Sequence, residues 1–402
     1  MGDPLLIAGV IIACFVAYNI GGATTGPAFG PAIGADVLSK TTAGVLMAVA
    51  FFVGAFTVGR RVVDTLGTEL VTTPSIFTLE ASIVVLGFIG AALLIGNLSG
   101  VPASTSMTAV GAIAGLGLAT ETLNLAIIGK IFAWWLLSPI VGFWMAVMIG
   151  RYWYSKIDRF ISVRQSEGAL IVVERDGYLV TMDLGPNTTR REVVGTVVLI
   201  AIGFLMAFSS GTSNIANAIA PLVGSGTIGM NPAIYVGSAA VAVGALTIAR
   251  RTMETLGNDI TDLPLTAAII VAVLSSAIVI ILSALGIPAS FVVIATVCIV
   301  GLGWGRSTQS VSIEDAVRGK VSPNVSVGAL ASDTGSPTVG EPTPQSRRAR
   351  VGDPHVSRPR ARPVRSDLFD PGTTVRVILM QNIVPLLATA GSYFTFLVVG
   401  AI

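Results

Sequence analysis

Two polar, glycine-bearing stretches lie 190 positions apart in a chain that is otherwise strongly apolar. The first is Gly21-Gly22-Ala23-Thr24-Thr25-Gly26-Pro27-Ala28-Phe29-Gly30-Pro31. The second is Gly211-Thr212-Ser213-Asn214-Ile215-Ala216-Asn217-Ala218-Ile219-Ala220-Pro221. Gly21 falls on Gly211, Ala28 on Ala218, Pro31 on Pro221 and Gly34 on Gly224. The register continues, with Arg60-Arg61-Val62-Val63-Asp64 falling on Arg250-Arg251-Thr252-Met253-Glu254. At a shift of 186, Val101-Pro102-Ala103-Ser104 falls on Ile287-Pro288-Ala289-Ser290. Two halves interrupted at matching places by Gly, Pro and small polar residues are the pattern of a repeat protein that binds a solute where its halves meet.

The rest of the chain fixes the solvent. Hydrophobic residues make up 53% and charged residues 11%, with a mean hydropathy of +0.82, where soluble domains carry about 25% charge. This composition demands a polytopic membrane protein. Ten apolar spans are expected, at 5–20, 42–59, 76–97, 102–118, 126–150, 193–210, 230–249, 264–285, 288–305 and 374–400. A span near twenty residues crosses a hydrocarbon core of about 30 Å. Those at 102–118 and 288–305 are short and begin at proline, as parts of re-entrant hairpins do. The stretches at 21–35 and 211–226 are too polar for lipid-facing helix and are expected to be irregular backbone lining a cavity.

Residues 151–192 carry seven of the 24 Lys and Arg, and residues 306–376 carry eleven. The positive-inside rule puts both in the cytoplasm, and the four spans between them agree. Counting back then leaves both termini outside and runs the two polar stretches in opposite directions. The expected fold class is an all-α polytopic membrane protein of two inverted-topology repeats with broken helices and re-entrant hairpins. Residues 1–150 form the first transmembrane repeat and 151–192 a cytoplasmic linker. Within the linker, alternation around Asp176-Gly177 over 170–183 signals a β-hairpin. Residues 193–305 form the second repeat, 306–373 a disordered Arg/Pro/Ser-rich cytoplasmic loop, and 374–402 the last helix. No basic residue precedes Leu5, which argues against a cleaved signal peptide.

The candidate binding residues are hydroxyls and amides. Thr24 and Thr25 come from the first stretch, Ser213, Asn214 and Asn217 from the second. Ser104, Thr105 and Ser106 follow Pro102, with Ser290 as a fourth, weaker break. Helix N-termini with unpaired N–H groups suit an oxyanion; hydroxyl, amide and carbonyl oxygens suit Na⁺. Packing of small residues between helices is the competing reading for any single stretch. Asp64 and Glu254 each follow an Arg-Arg pair and are expected to form ion pairs at the membrane edge, with a cation path as the alternative. Cys14 and Cys298 sit in apolar runs as core or lipid-facing fillers. His355 is the one histidine, so a His-based proton relay has no candidate, and no nucleophile–base constellation supports an enzyme. No metal centre, organic cofactor or nucleic-acid partner is expected.

Gly211-Thr-Ser-Asn-Ile-Ala-Asn-Ala-Ile-Ala-Pro resembles the G-A-N-D-V-A-N-x-x-G-P signature of the PiT-type inorganic phosphate transporter family. Pro102-Ala-Ser-Thr-Ser-Met resembles that family's P-V-S-T-T-H motif, and Arg251-Thr-Met-Glu-Thr-Leu-Gly-Asn-Asp-Ile-Thr its R-V-I-E-T-I-G-x-x-I-T stretch. The resemblance implies import of inorganic phosphate coupled to Na⁺ or H⁺, an inverted-repeat fold, a homodimer surrounded by lipid, and a midplane site with Na⁺ near Thr24 and Asn214. The departures are specific: the signature Asp falls on Thr24 in one repeat and Asn214 in the other, and Phe291 and Val292 replace paired hydroxyls. Both intramembrane carboxylates are absent by this alignment, which puts the coupling ion in question. Sulfate, another tetrahedral oxyanion, and an anion-binding sensor that does not transport are the alternatives.

Overall fold

Hydrocarbon leaves backbone N–H and C=O groups no partner but one another, so the apolar runs must be helical. The computed structural model describes residues 4–34, 37–98, 104–161, 171–176, 179–184, 190–247, 265–307 and 371–399. Its helices are α1 (Pro4–Gly34), α2 (Lys40–Glu69), α3 (Leu79–Leu98), α4 (Thr105–Ala119) and α5 (Leu125–Met148, continuing to Ile161). In the second half come α6 (Arg190–Gly224), α7 (Met230–Leu246), α8 (Leu265–Ala284), α9 (Phe291–Ser307) and α10 (Pro371–Val399). Among the described residues seven helices are long and apolar enough to span a membrane; α4, α7 and α9 are shorter. Large apolar side chains such as Ile11, Leu136, Trp144 and Leu386 stay exposed on the outer helices, where the solvent is lipid. The chain is a multi-pass membrane protein.

Strands β1 (Ile171–Asp176) and β2 (Leu179–Leu184) pair antiparallel from Ile171↔Leu184 to Asp176↔Leu179, in the register that the alternation around Asp176 predicts. Glu254, the Arg/Pro/Ser-rich segment and Pro102 lie outside the described residues.

The polar stretches are not breaks. α1 runs unbroken through 21–27 and α6 through 211–217, against the expectation of irregular backbone there. The physical reason is that the hydroxyls fold back onto their own helices: Thr24 Oγ1 donates to the Ile20 carbonyl at 2.8 Å, Thr25 Oγ1 to Gly21 at 2.7 Å and Thr212 Oγ1 to Ser209 at 2.7 Å. A helix so satisfied needs no water. The irregular backbone lies between α8 and α9 instead, at 285–290, where Gly286 holds a positive φ of 74°.

The glycines serve close approach. A methyl on Gly21 would lie 2.1 Å from the Val241 carbonyl oxygen, and one on Gly211 would lie 2.1 Å from that of Phe51. A methyl on Gly54 would lie 2.1 Å from the Phe208 oxygen, and one on Gly244 the same distance from Tyr18. These contacts are reciprocal: adding 190 to Gly21 and Phe51 gives Gly211 and Val241, and adding 190 to Tyr18 and Gly54 gives Phe208 and Gly244. Helices follow suit. α1 packs along α7 as α6 packs along α2, and α4 along α10 as α9 along α5. Each half thus supplies the packing surface that the other half needs, and the sequence repeat becomes one interlocked core.

The two arginines of the first repeat take partners in the second. Arg60 donates to Asn231 Oδ1 on α7, with its guanidinium 4.4 Å from the Phe56 ring centre. Arg61 donates to the Ala284 carbonyl at 2.5 Å, at the end of α8. Both bonds run to the other repeat, one to the start of α7 and one to the end of α8.

Candidate binding site

The midpoints of α1 and α6 and the first turns of α4 and α9 meet around a cavity of ≈ 40 Å³, room for about three waters or one small inorganic ion. Its polar wall is Thr24, Thr105, Ser210, Asn214 and Ser290; Met206, Phe291 and Val292 close the apolar side. The α6 contribution follows from helical spacing: Met206, Ser210 and Asn214 recur every four residues and share one face.

The wall is internally bonded. Thr105 Oγ1 donates to Asn214 Oδ1 at 2.6 Å, and Asn217 Nδ2 donates to the same oxygen at 3.2 Å. Asn214 Nδ2 donates to Ser210 Oγ at 3.0 Å. Asn214 is therefore fixed in rotation: both lone pairs of Oδ1 are used, and the amide nitrogen faces Ser210.

Two helix N-termini, one from each half, face this space. Ser104 caps α4, accepting from Met107 N at 3.3 Å; Ser290 accepts from Val293 N at 3.4 Å at the start of α9. The remaining first-turn N–H groups, on Thr105 and Ser106 and on Phe291 and Val292, have no intrahelical acceptor, and both dipoles place positive ends here. Among the described residues no ionisable side chain lines the cavity.

Of the residues the sequence singles out, Thr24, Thr105, Asn214 and Ser290 reach the wall. The others form a layer behind it. Ser213 Oγ donates to the Ala289 carbonyl at 2.9 Å and accepts from the Ala289 N–H at 3.0 Å. Ser106 Oγ donates to the same carbonyl at 3.0 Å, and Trp135 Nε1 donates to the Pro288 carbonyl at 2.7 Å. These bonds pin the Pro288–Ser290 turn, so Ser106 and Ser213 hold the tip of the α8–α9 hairpin rather than line the space. Thr25 is fully buried and bonded to its own helix, and Ser104 is a cap. Asn217 is fully buried too; its Nδ2 reaches Ser106 Oγ at 3.5 Å, while its Oδ1 has no donor. A buried orphan acceptor fits a bound cation or water. Ser210 was missed by the sequence reading, although stepping back one helical turn from Asn214 finds it.

The profile of the phosphate transporter family matches residues 20–327. The chain is 30% identical over 313 residues to the sulfate permease CysP of Bacillus subtilis, covering 78% of this chain and 81% of that one. A solved sodium-dependent phosphate transporter shares the fold, with a TM-score of 0.63 over 98% of this chain and 100% of its own, at 16% identity.

Proposed function

The chain belongs to the phosphate transporter family, and from that premise we propose that it imports a tetrahedral oxyanion of the size of phosphate or sulfate across the cell membrane, with a cation carried alongside. The observation that carries this reading is the small cavity between two helix N-termini of opposite halves, walled by hydroxyls and an amide. An anion there is met by oriented N–H groups, whose dipoles act more strongly at the lower dielectric of a protein interior. Alternating access then amounts to rocking one half against the other about the reciprocal glycine contacts, with the site at the pivot. The basic segments at 151–192 and 306–376 face the cytoplasm, both termini lie outside, and the two repeats are inverted. The working unit is a homodimer in lipid.

For the cation, Na⁺ is the leading choice. Asn217 Oδ1 and the hydroxyl oxygens of Thr24 and Thr105 are the neutral ligands at hand, and with no carboxylate a cation gains most of its attraction from the co-bound anion. Phosphate is the substrate class that the family match supports; sulfate is supported by the likeness to the permease from Bacillus subtilis and by the uncharged wall among the described residues. The test is uptake of labelled phosphate and sulfate into proteoliposomes with and without a sodium gradient. Gradient-stimulated uptake of either anion is expected; binding without uptake of either would make the chain a sensor.

A further inference from the structure

We infer that the cavity selects tetrahedral dianions that carry no proton, of which sulfate is the type and selenate and molybdate are relatives, over hydrogen phosphate and hydrogen arsenate. This rests on the reading of the cavity as the oxyanion site. At neutral pH sulfate is an acceptor at all four oxygens, whereas phosphate carries at least one proton and must also donate. A site that favours phosphate therefore needs a strong acceptor. Among the described residues the wall offers no charged one. The carbonyl oxygen of Asn214 is the strongest neutral acceptor present, and Thr105 and Asn217 already fill it. Ser290 Oγ accepts from Val293 N and Ser210 Oγ from Asn214, which leaves each hydroxyl a single lone pair. What remains is uncharged: lone pairs on the Thr24 and Thr105 hydroxyls, whose protons are given to the Ile20 carbonyl and to Asn214, one each on Ser210 and Ser290, and behind the wall the orphan Oδ1 of Asn217.

Donors, by contrast, are in surplus: the Ser210 and Ser290 hydroxyl protons, the second Asn214 N–H and the first-turn N–H groups of α4 and α9. The balance suits a ligand that only accepts. A hydrogen bond to a charged acceptor is worth roughly twice one to a neutral acceptor, a difference of about tenfold in affinity for a proton-bearing ligand.

The same geometry names the residue that sets the preference. A carboxylate at position 214 would keep the donors from Thr105 and Asn217 on one oxygen and turn its second oxygen toward Ser210, whose hydroxyl then donates instead of accepting. It adds the missing charged acceptor without displacing a neighbour. Asn214→Asp should therefore move the two anions in opposite directions, sulfate weakened by charge repulsion and phosphate strengthened.

The experiment measures binding of labelled sulfate and labelled phosphate to the purified full-length protein in lipid nanodiscs, from about pH 6 to about pH 8, with selenate, molybdate and arsenate as competitors. The wild type should bind sulfate about tenfold or more tighter than phosphate across the range. Selenate and molybdate should compete and arsenate should not. Asn214→Asp should narrow or reverse that ratio. Equal or tighter phosphate binding by the wild type overturns the inference and leaves the oxyanion reading standing. Binding of neither anion overturns the oxyanion reading itself. Should Asn214→Asp fail to fold, the wild-type competition series decides alone; should it fold and weaken both anions alike, the role of position 214 is refuted.

Discussion

Replacing Gly211 by alanine sets a methyl 2.1 Å from the Phe51 carbonyl oxygen and 2.8 and 2.9 Å from that residue's carbonyl carbon and Cα. All three are backbone atoms of α2, so no side chain can swing clear. A relaxed C···O contact needs about 3.3–3.6 Å, which forces α6 and α2 apart by roughly 1 Å or more. Overpacking of this kind costs about 1–3 kcal/mol, partly offset by about 1 kcal/mol from the better helix propensity of alanine. The consequence for binding is larger than for stability. Ser210 precedes Gly211 and Asn214 lies one turn on, so the shift passes directly to the cavity wall, and a 1 Å misplacement can cost about a hundredfold. Gly21→Ala, whose methyl meets Val241 at the same 2.1 Å, should behave alike, displacing Thr24. Gly87→Ala on α3 meets nothing within 4 Å and should be neutral or stabilising. Thermal unfolding followed by the fluorescence of the five tryptophans, with anion binding on the same samples, reads both effects. If Gly211→Ala and Gly21→Ala match Gly87→Ala in both assays, the interlocking argument is wrong.

Ser213→Ala removes both bonds to Ala289; Ser106 still donates to the carbonyl, so the buried Ala289 N–H is the group stranded, at about 1–3 kcal/mol. Unfolding should move to lower temperature, whereas Ser210→Ala should weaken anion binding with a smaller change in stability. With no carboxylate among the described wall residues, sodium should bind the wild type appreciably only when the anion is present, and Asn214→Asp should bind sodium without it; calorimetry on both proteins decides, and tight sodium binding by the anion-free wild type would refute the reasoning. Cysteines placed at Ser166 and Ser336 should resist an impermeant reagent in intact cells and react after lysis. Labelling of both in intact cells would remove the inverted assignment.

The spans, the twofold repeat and the neighbourhood of the site are all legible in the residues, because each depends on the chain and its solvent alone. Twenty apolar residues must be helical in hydrocarbon wherever they pack, and matched Gly, Ser, Thr and Asn at a fixed shift require no coordinates to recognise. Thr24, Thr105, Asn214 and Ser290 follow from those matches. What each hydroxyl does depends on where the next helix sits. Thr25, one residue from Thr24, is turned away by the helical phase, and Ser213, one residue from Asn214, meets the Ala289 backbone because the α8–α9 hairpin ends beside it. The glycines suggest broken helices when read along the chain; only the approach of a carbonyl from the opposite repeat shows that they are there to admit a neighbour. Arg60 and Arg61 likewise find acceptors on α7 and α8, at helix ends that the other half brings within reach. Sequence periodicity fixes a residue's direction on its own helix, while the atoms it meets belong to segments nearly half the chain away.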